Sequence, residues 1–176
     1  MRITIVAGAR PNFMKIAPII REIEKPSNRD KITFDLVHTG QHYDHNMSEN
    51  FFKQLGIPKP KINLGCGGGT QAEITSKIMV SFENFLTHNL SDLVLVVGDV
   101  TSTMACAIVA RKLKINVAHV EAGIRSYDWS MPEEINRVVT DSITNYFFTT
   151  SEKANENLLK SGIQEKDIFF VGNTMI

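Results

Sequence analysis

The sequence predicts a doubly wound α/β fold of Rossmann-like type, a parallel sheet with helices on both faces. Three observations carry that prediction. Short β-branched runs recur along the 176 residues, longer segments of helical period separate them, and several runs end in glycine beside a polar or charged residue. Near-continuous apolar strands imply a sheet covered on both sides, and regular alternation with helices implies parallel crossovers.

Residues 3–7, Ile-Thr-Ile-Val-Ala, read as the first buried strand. A helix over 13–24 follows, with Ile16, Ile19, Ile20 and Ile23 on one face. Residues 34–38 form the second strand. The glycine-rich patch Gly65-Cys-Gly-Gly-Gly69 reads as a mobile loop. From Gln71 to His88 the residues Ile74, Ile78, Phe82, Phe85 and Leu86 recur at helical spacing. Leu-Val-Leu-Val-Val over 93–97 is the clearest strand. The helix over 101–113 is rich in small residues and opens in a Thr-Ser-Thr cap region. Strands over 116–120 and 146–149 enclose a helix at 132–143, whose Pro132 suits a first turn. A helix over 151–160, ended by Gly162, and a strand over 168–171 close the series.

Composition limits the function classes. The hydrophobic fraction of 43% is enough for one core, and Lys+Arg and Asp+Glu both number 19. No global basic field is present, so no nucleic-acid partner is expected. The two cysteines, Cys66 and Cys106, form no CxxC pair, which suits a reducing cytoplasm rather than a disulfide framework. No apolar run approaches a membrane span of about 18 residues, so no membrane association is expected. His42-Tyr-Asp-His45 lacks a third ligand, and no metal site is expected there.

Ligands of open parallel sheets bind beyond the carboxyl ends of the strands. Four of those ends read Gly8-Ala-Arg10-Pro11, Thr39-Gly-Gln41-His42, Gly98-Asp99 and Glu121-Ala-Gly123, and they are expected to share one crevice. Arg10 and Lys15 flank the start of the first helix. They either solvate its surface or bind a diphosphate or carboxylate at its positive end. Asp99 either caps the following helix or works in the crevice. Glu121 follows apolar residues into that crevice, where burial and a neighbouring cation pull its titration in opposite directions. Glu133 and Arg137 are four apart and share a helix face, as a surface ion pair or as site residues. The first strand is not followed by G-x-G-x-x-G, so a dinucleotide cofactor is not expected.

Five spaced motifs occur in order: Gly8-Ala-Arg10-Pro11 with Lys15 and Ala17-Pro18, Gly98-Asp99 with Thr101, His119-Val-Glu121-Ala-Gly123-Ile-Arg125, Pro132-Glu133-Glu134-Ile-Asn136-Arg137, and Gly172-Asn-Thr174. With them the chain resembles the non-hydrolysing UDP-N-acetylglucosamine 2-epimerases over essentially its whole length. The resemblance implies that residues 1–176 are the N-terminal Rossmann-like domain of a two-domain, GT-B-type enzyme whose C-terminal UDP-binding domain is absent from this chain. It implies inversion at C2 of a UDP-sugar, by elimination and re-addition of UDP, with Asp99, Glu121 and Glu133 as catalytic carboxylates. Arg10 and Lys15, with Asp99 and Glu121, match the substrate contacts. No cofactor is implied. The partners implied are the UDP-sugar, the missing C-terminal domain and, in the complete protein, a second copy in a homodimer. The pathway implied is polysaccharide biosynthesis in the cytoplasm. The fragment alone is expected to be inactive or nearly so.

The sequence departs from the family pattern in two places. The family's Gly-Asp-Thr-Thr-Thr is Gly98-Asp-Val-Thr-Ser-Thr103 here, and Gly68-Gly69 stand where many bacterial members carry Arg-Gln. His38-Thr-Gly-Gln41-His42 and Leu55-Gly-Ile-Pro58 resemble a subgroup that includes 2-epimerases of UDP-2,3-diacetamido-glucuronic acid. Alternatives are that sugar, a hydrolysing epimerase releasing UDP and N-acetylmannosamine, and a non-catalytic module that binds nucleotide sugars.

Overall fold

The computed structural model describes residues 1–41 and 49–175. The His42 and His45 pair considered above lies outside them. The strands are β1 (Arg2–Ala7), β2 (Thr33–His38), β3 (Ile62–Asn63), β4 (Leu93–Val97), β5 (Asn116–Val120), β6 (Tyr146–Thr149) and β7 (Ile168–Phe170). The helices are α1 (Arg10–Ile23), α2 (Glu49–Leu55), α3 (Gln71–His88), α4 (Thr101–Lys112), α5 (Pro132–Ile143) and α6 (Glu152–Lys160), with a 3₁₀ turn at Glu165–Asp167. All pairings are parallel and the sheet order is β3-β2-β1-β4-β5-β6-β7. The doubly wound class read from the sequence is the one observed.

Alternation along the central strands divides the core in two. Ile3, Ile5 and Ala7 of β1 join Leu95 and Val97 of β4 beneath α1 and α2. Val6 of β1 and Val94 and Val96 of β4 point the other way, toward α3 and α4. The isoleucine face of α1 packs as its spacing requires: Phe13, Ile16 and Ile20 are fully buried. Each such side chain contributes about 1.5–3 kcal/mol of apolar burial. Phe82 and Ile78 do the same for α3, whose Thr70 N-cap and Glu73 form a capping box. The small residues Ala105, Cys106, Ala107 and Ala110 let α4 approach the sheet closely, and all are buried.

Three elements were not read from the sequence. Strand β3 has two exposed residues and no alternation to detect. Helix α2 has seven residues, too few for a clear period. The 3₁₀ turn has no buried residue. Helix α1 begins at Arg10, three residues before the expected start, because Pro11 sits in its first turn. The glycine patch is pinned at its second residue: Cys66 is buried under α3 and its N–H donates to Thr39 O at 2.9 Å.

Candidate active site

The sheet order makes β2, β1, β4 and β5 consecutive, so the four strand ends singled out in the sequence lie side by side. The chain winds outward from β1 to β3 and then returns to place β4 on the other side of β1. The crevice at that reversal, beyond the carboxyl ends of β1 and β4, is where open α/β sheets take ligands.

Asn12, three residues into α1, organises the β1 end. Its Oδ1 accepts from the N–H groups of Gly8 and Ala9, each at 3.0 Å, and its Nδ2 donates to Val97 O of β4 at 3.4 Å. The loop after β1 is thereby tied to the end of β4. Gly8 is required here by close approach, since a Cβ would lie 2.3 Å from Ser102 Oγ and 2.7 Å from Ser102 Cβ. Ser102 in turn donates through N–H and Oγ to Gln41 Oε1, at 3.0 and 2.7 Å. The ends of β1, β2 and β4 are thus one bonded unit.

Lys15 and Glu121 meet across this crevice. Lys15 Nζ lies 2.5 Å from Glu121 Oε2, and both side chains are 15% exposed, so the pair is sheltered yet reachable. Glu121 is held at φ +70, an uncommon backbone for a non-glycine residue. Its N–H donates to Phe148 O at 3.0 Å, which fixes it from β6. Gly98, at φ +70, turns β4 away from the pair; its Cβ position lies 3.5 Å from Glu121 Oε2 and 3.6 Å from Lys15 Nζ. Asp99 follows directly.

Asp99 does not cap α4. The N-cap is Val100, with no side-chain bond. Instead, Asp99 Oδ2 accepts from Arg137 Nη2 at 2.6 Å and Nε at 3.0 Å, and its carbonyl accepts from Asn136 Nδ2 at 2.8 Å. The surface ion pair between Glu133 and Arg137, one of the two readings of their spacing, is not formed. Arg137 turns to Asp99 and to buried Glu134, with Nη1 to Oε2 at 3.1 Å. Burial pulls the Arg137 guanidinium down, but the carboxylates of Asp99 and Glu134 outweigh it and hold it above its ordinary value. Glu134 also accepts from Ser126 N–H, Ser126 Oγ and Tyr127 N–H. Burial raises its carboxyl, yet these donors and Arg137 keep it below the usual carboxylate range.

Of the residues read from the sequence, Lys15 and Glu121 are brought into contact, and Asp99 follows the Gly98 turn that abuts them. Arg10 lies at the exposed start of α1 on the same side of the sheet, its guanidinium 4.8 Å from the centroid of the Phe51 ring. Glu133 is half-buried in the first turn of α5, and its carboxylate has no ion-pair or hydrogen-bond partner among the described residues. Sequence reasoning missed Asn12, Glu134, Asn136 and Asp141. Asn12, Glu134 and Asn136 sit inside quoted motifs, but nothing in their spacing separates a polar clamp from a surface residue. Among the described residues no group of His, Cys, Asp and Glu is placed to hold a metal ion. No helix there is long and apolar enough to cross a membrane.

Comparison with known proteins shows the family and the fold. The family model described as UDP-N-acetylglucosamine 2-epimerase matches residues 24–176. The chain is 49% identical to the UDP-N-acetylglucosamine 2-epimerase of Methanocaldococcus jannaschii over 176 residues, all of this chain and 47% of that protein. It is 42% identical to the UDP-2,3-diacetamido-2,3-dideoxy-D-glucuronate 2-epimerase of Pseudomonas aeruginosa, across 99% of this chain and 49% of that one. The crystal structure of the M. jannaschii enzyme in complex with UDP-GlcNAc and UDP superposes with a TM-score of 0.92, covering 98% of this chain and 47% of that chain. The chain therefore spans about half the length of the relatives it matches. Five motifs in order, a parallel sheet with its crevice at the β1–β4 reversal and identity across the whole chain establish that it belongs to the UDP-N-acetylglucosamine 2-epimerase family.

Proposed function

We propose that this chain is the acid/base and diphosphate-holding part of a non-hydrolysing UDP-N-acetylglucosamine 2-epimerase, which converts its substrate to UDP-N-acetylmannosamine. The observation that carries the reading is the Lys15–Glu121 pair beside the Arg137-held Asp99 at the mouth of the sheet. In this reading residues 1–176 are the N-terminal domain of a GT-B-type enzyme, and a second domain supplies most of the UDP contacts.

The chemistry explains why such residues are needed. The C2 proton of the sugar has no adjacent carbonyl to stabilise a carbanion. Removing it while the C1–O bond breaks turns the C–H electron pair into a C1=C2 double bond, and UDP leaves with the C1–O pair. Re-addition of UDP at C1, with a proton returned to the other face of C2, gives the epimer. The sequence is redox-neutral and consumes no water. Two proton transfers on opposite faces require more than one acid/base group, and Asp99, Glu121 and Glu133 are the carboxylates assigned to them. Arg10 and Lys15, at the positive end of α1, hold the diphosphate as its charge develops. A diphosphate arriving there competes with Glu121 for the Lys15 ammonium and releases the carboxylate for proton transfer.

The test is proton NMR of UDP-N-acetylglucosamine in D₂O with the complete protein. Deuterium at C2 and a new UDP-N-acetylmannosamine signal are expected. Release of UDP with free N-acetylmannosamine would instead mark a hydrolysing enzyme. A second reading, UDP-2,3-diacetamido-glucuronate as substrate, is favoured by the 42% identity to the P. aeruginosa protein; exchange on that sugar alone would establish it. We also infer that the complete protein is a cytoplasmic homodimer. The apolar groove between α3, α4 and α5, which includes Met79, Met104 and Ile135, supports self-association, and light scattering measures it.

A further inference from the structure

His119 is fully buried at the end of β5 and belongs to none of the roles assigned above. Its Nε2 lies 2.8 Å from Gly98 O and its Nδ1 lies 2.7 Å from Asp141 Oδ1. Both partners are acceptors. Gly98 O is a carbonyl oxygen. Asp141 accepts from Gly123 N–H at 3.0 Å and pairs with Arg125 Nη1 at 2.7 Å. Burial pushes the Asp141 carboxyl up, but His119 and Arg125 beside it outweigh that and keep it below the usual carboxylate range. A carbonyl oxygen cannot donate, so Nε2 carries the proton of the Gly98 bond, and Nδ1 is the nitrogen that faces Asp141.

The second acceptor gives this ring its consequence. Gly98 is the left-handed turn that separates β4 from Asp99 and abuts the Lys15–Glu121 pair. Its N–H donates to Val120 O at 3.0 Å and its carbonyl accepts from His119, so β5 grips the turn on both sides. Asp141 anchors the ring from α5, the helix that also supplies Asn136 and Arg137 to Asp99.

We propose that His119 is a positioning residue: a buried ring, anchored by Asp141 through Nδ1 and bonded through Nε2 to Gly98 O, that fixes the Gly98 turn and through it the placement of Asp99, the residue that follows. The inference rests on Asp99 and Glu121 acting in the epimerisation proposed above.

Two isosteric substitutions separate the halves of the clamp. In His119→Asn the side-chain amide reaches the Nδ1 position and keeps a donor for Asp141, but loses Gly98. In His119→Gln the amide reaches the Nε2 position and keeps a donor for Gly98, but loses Asp141. In the complete protein, His119→Asn is expected to lower kcat by about 30-fold or more with KM within about twofold, while His119→Gln stays within about fivefold of the parent kcat. A merely structural histidine would give equal kcat per folded molecule in both variants, and that result would overturn the proposal.

Two NMR measurements do not depend on turnover. In the ¹⁵N spectrum Nε2 of His119 is expected to carry a proton; a bare Nε2 would overturn the proposal. The Gly98 and Asp99 amide resonances are expected to move in His119→Asn and to stay near their parent positions in His119→Gln. Unmoved resonances in His119→Asn would also overturn it. An unmodified protein without C2 exchange would sink only the activity reading, since these resonances still decide the positioning role.

Discussion

At the residue scale, the site is defined by what each carboxylate is bonded to. Asp99 is 33% exposed and bonded to Arg137, while Glu134 on the same guanidinium is 1% exposed and bonded to Ser126 and Tyr127 as well. The first can meet a substrate and the second cannot. Asp99→Asn in the complete protein is therefore expected to leave the fold intact and to cut C2 exchange about 100-fold or more, the usual scale for a lost acid or base. Unchanged turnover would remove Asp99 from the mechanism. Glu134→Gln is expected to destabilise the chain by about 3 kcal/mol, because the amide offers one acceptor oxygen in place of two, so either the Ser126 or the Tyr127 N–H faces an NH2 donor, and Arg137 loses one of its two charged partners. Urea unfolding measures this. The carboxyls of Glu134 and Asp141 are held below their ordinary values of 4.5 and 3.8. A lowered folded-state value means the stabilisation is fully present above those values and is lost as pH falls through the folded-state ones. The gap between parent and Glu134→Gln is thus expected to be full at pH 7 and to shrink below about pH 4.5.

At the element scale, α5 does more than cover the sheet. Asn136 and Arg137 clamp Asp99, Asp141 holds His119, and Glu134 ties down the loop at Ser126 and Tyr127. Its Pro132 start and the shared face of Glu133 and Arg137 were legible in the sequence. Which face each polar residue would serve was not, because Glu133 and Glu134 are chemically equivalent neighbours whose burial only the docking of α5 decides. The β1–α1 junction behaves similarly. Gly8 reads as a loop residue, yet its lack of a Cβ is what admits Ser102 of α4. Gly8→Ala is expected to cost about 1–3 kcal/mol by overpacking, seen as a lower urea midpoint with unchanged slope. A neutral result would mean that α4 shifts freely against β1. The short elements β3 and α2 escaped reading for a simpler reason: neither is long enough to show a period.

At the scale of the whole molecule, the crevice lies at one end of the sheet and is built from four strand ends and two helices. If the proposed second domain supplies the remaining UDP contacts, this 176-residue chain should bind UDP weakly and show no C2 exchange under conditions where the complete protein turns over. Full activity of the chain alone would refute the two-domain reading. The sequence by itself determined the fold class, because period-2 and period-3.6 burial are local properties written in the order of apolar residues. It also determined the motifs, because glycine and carboxylate at strand ends follow from chain order. Only the tertiary structure decided the partners. Lys15 meets Glu121 across 106 positions, Arg137 chooses Asp99 over Glu133, and His119 spans Gly98 and Asp141. Those choices depend on the order β2-β1-β4-β5 and on the seating of α5, which bring together residues far apart in sequence.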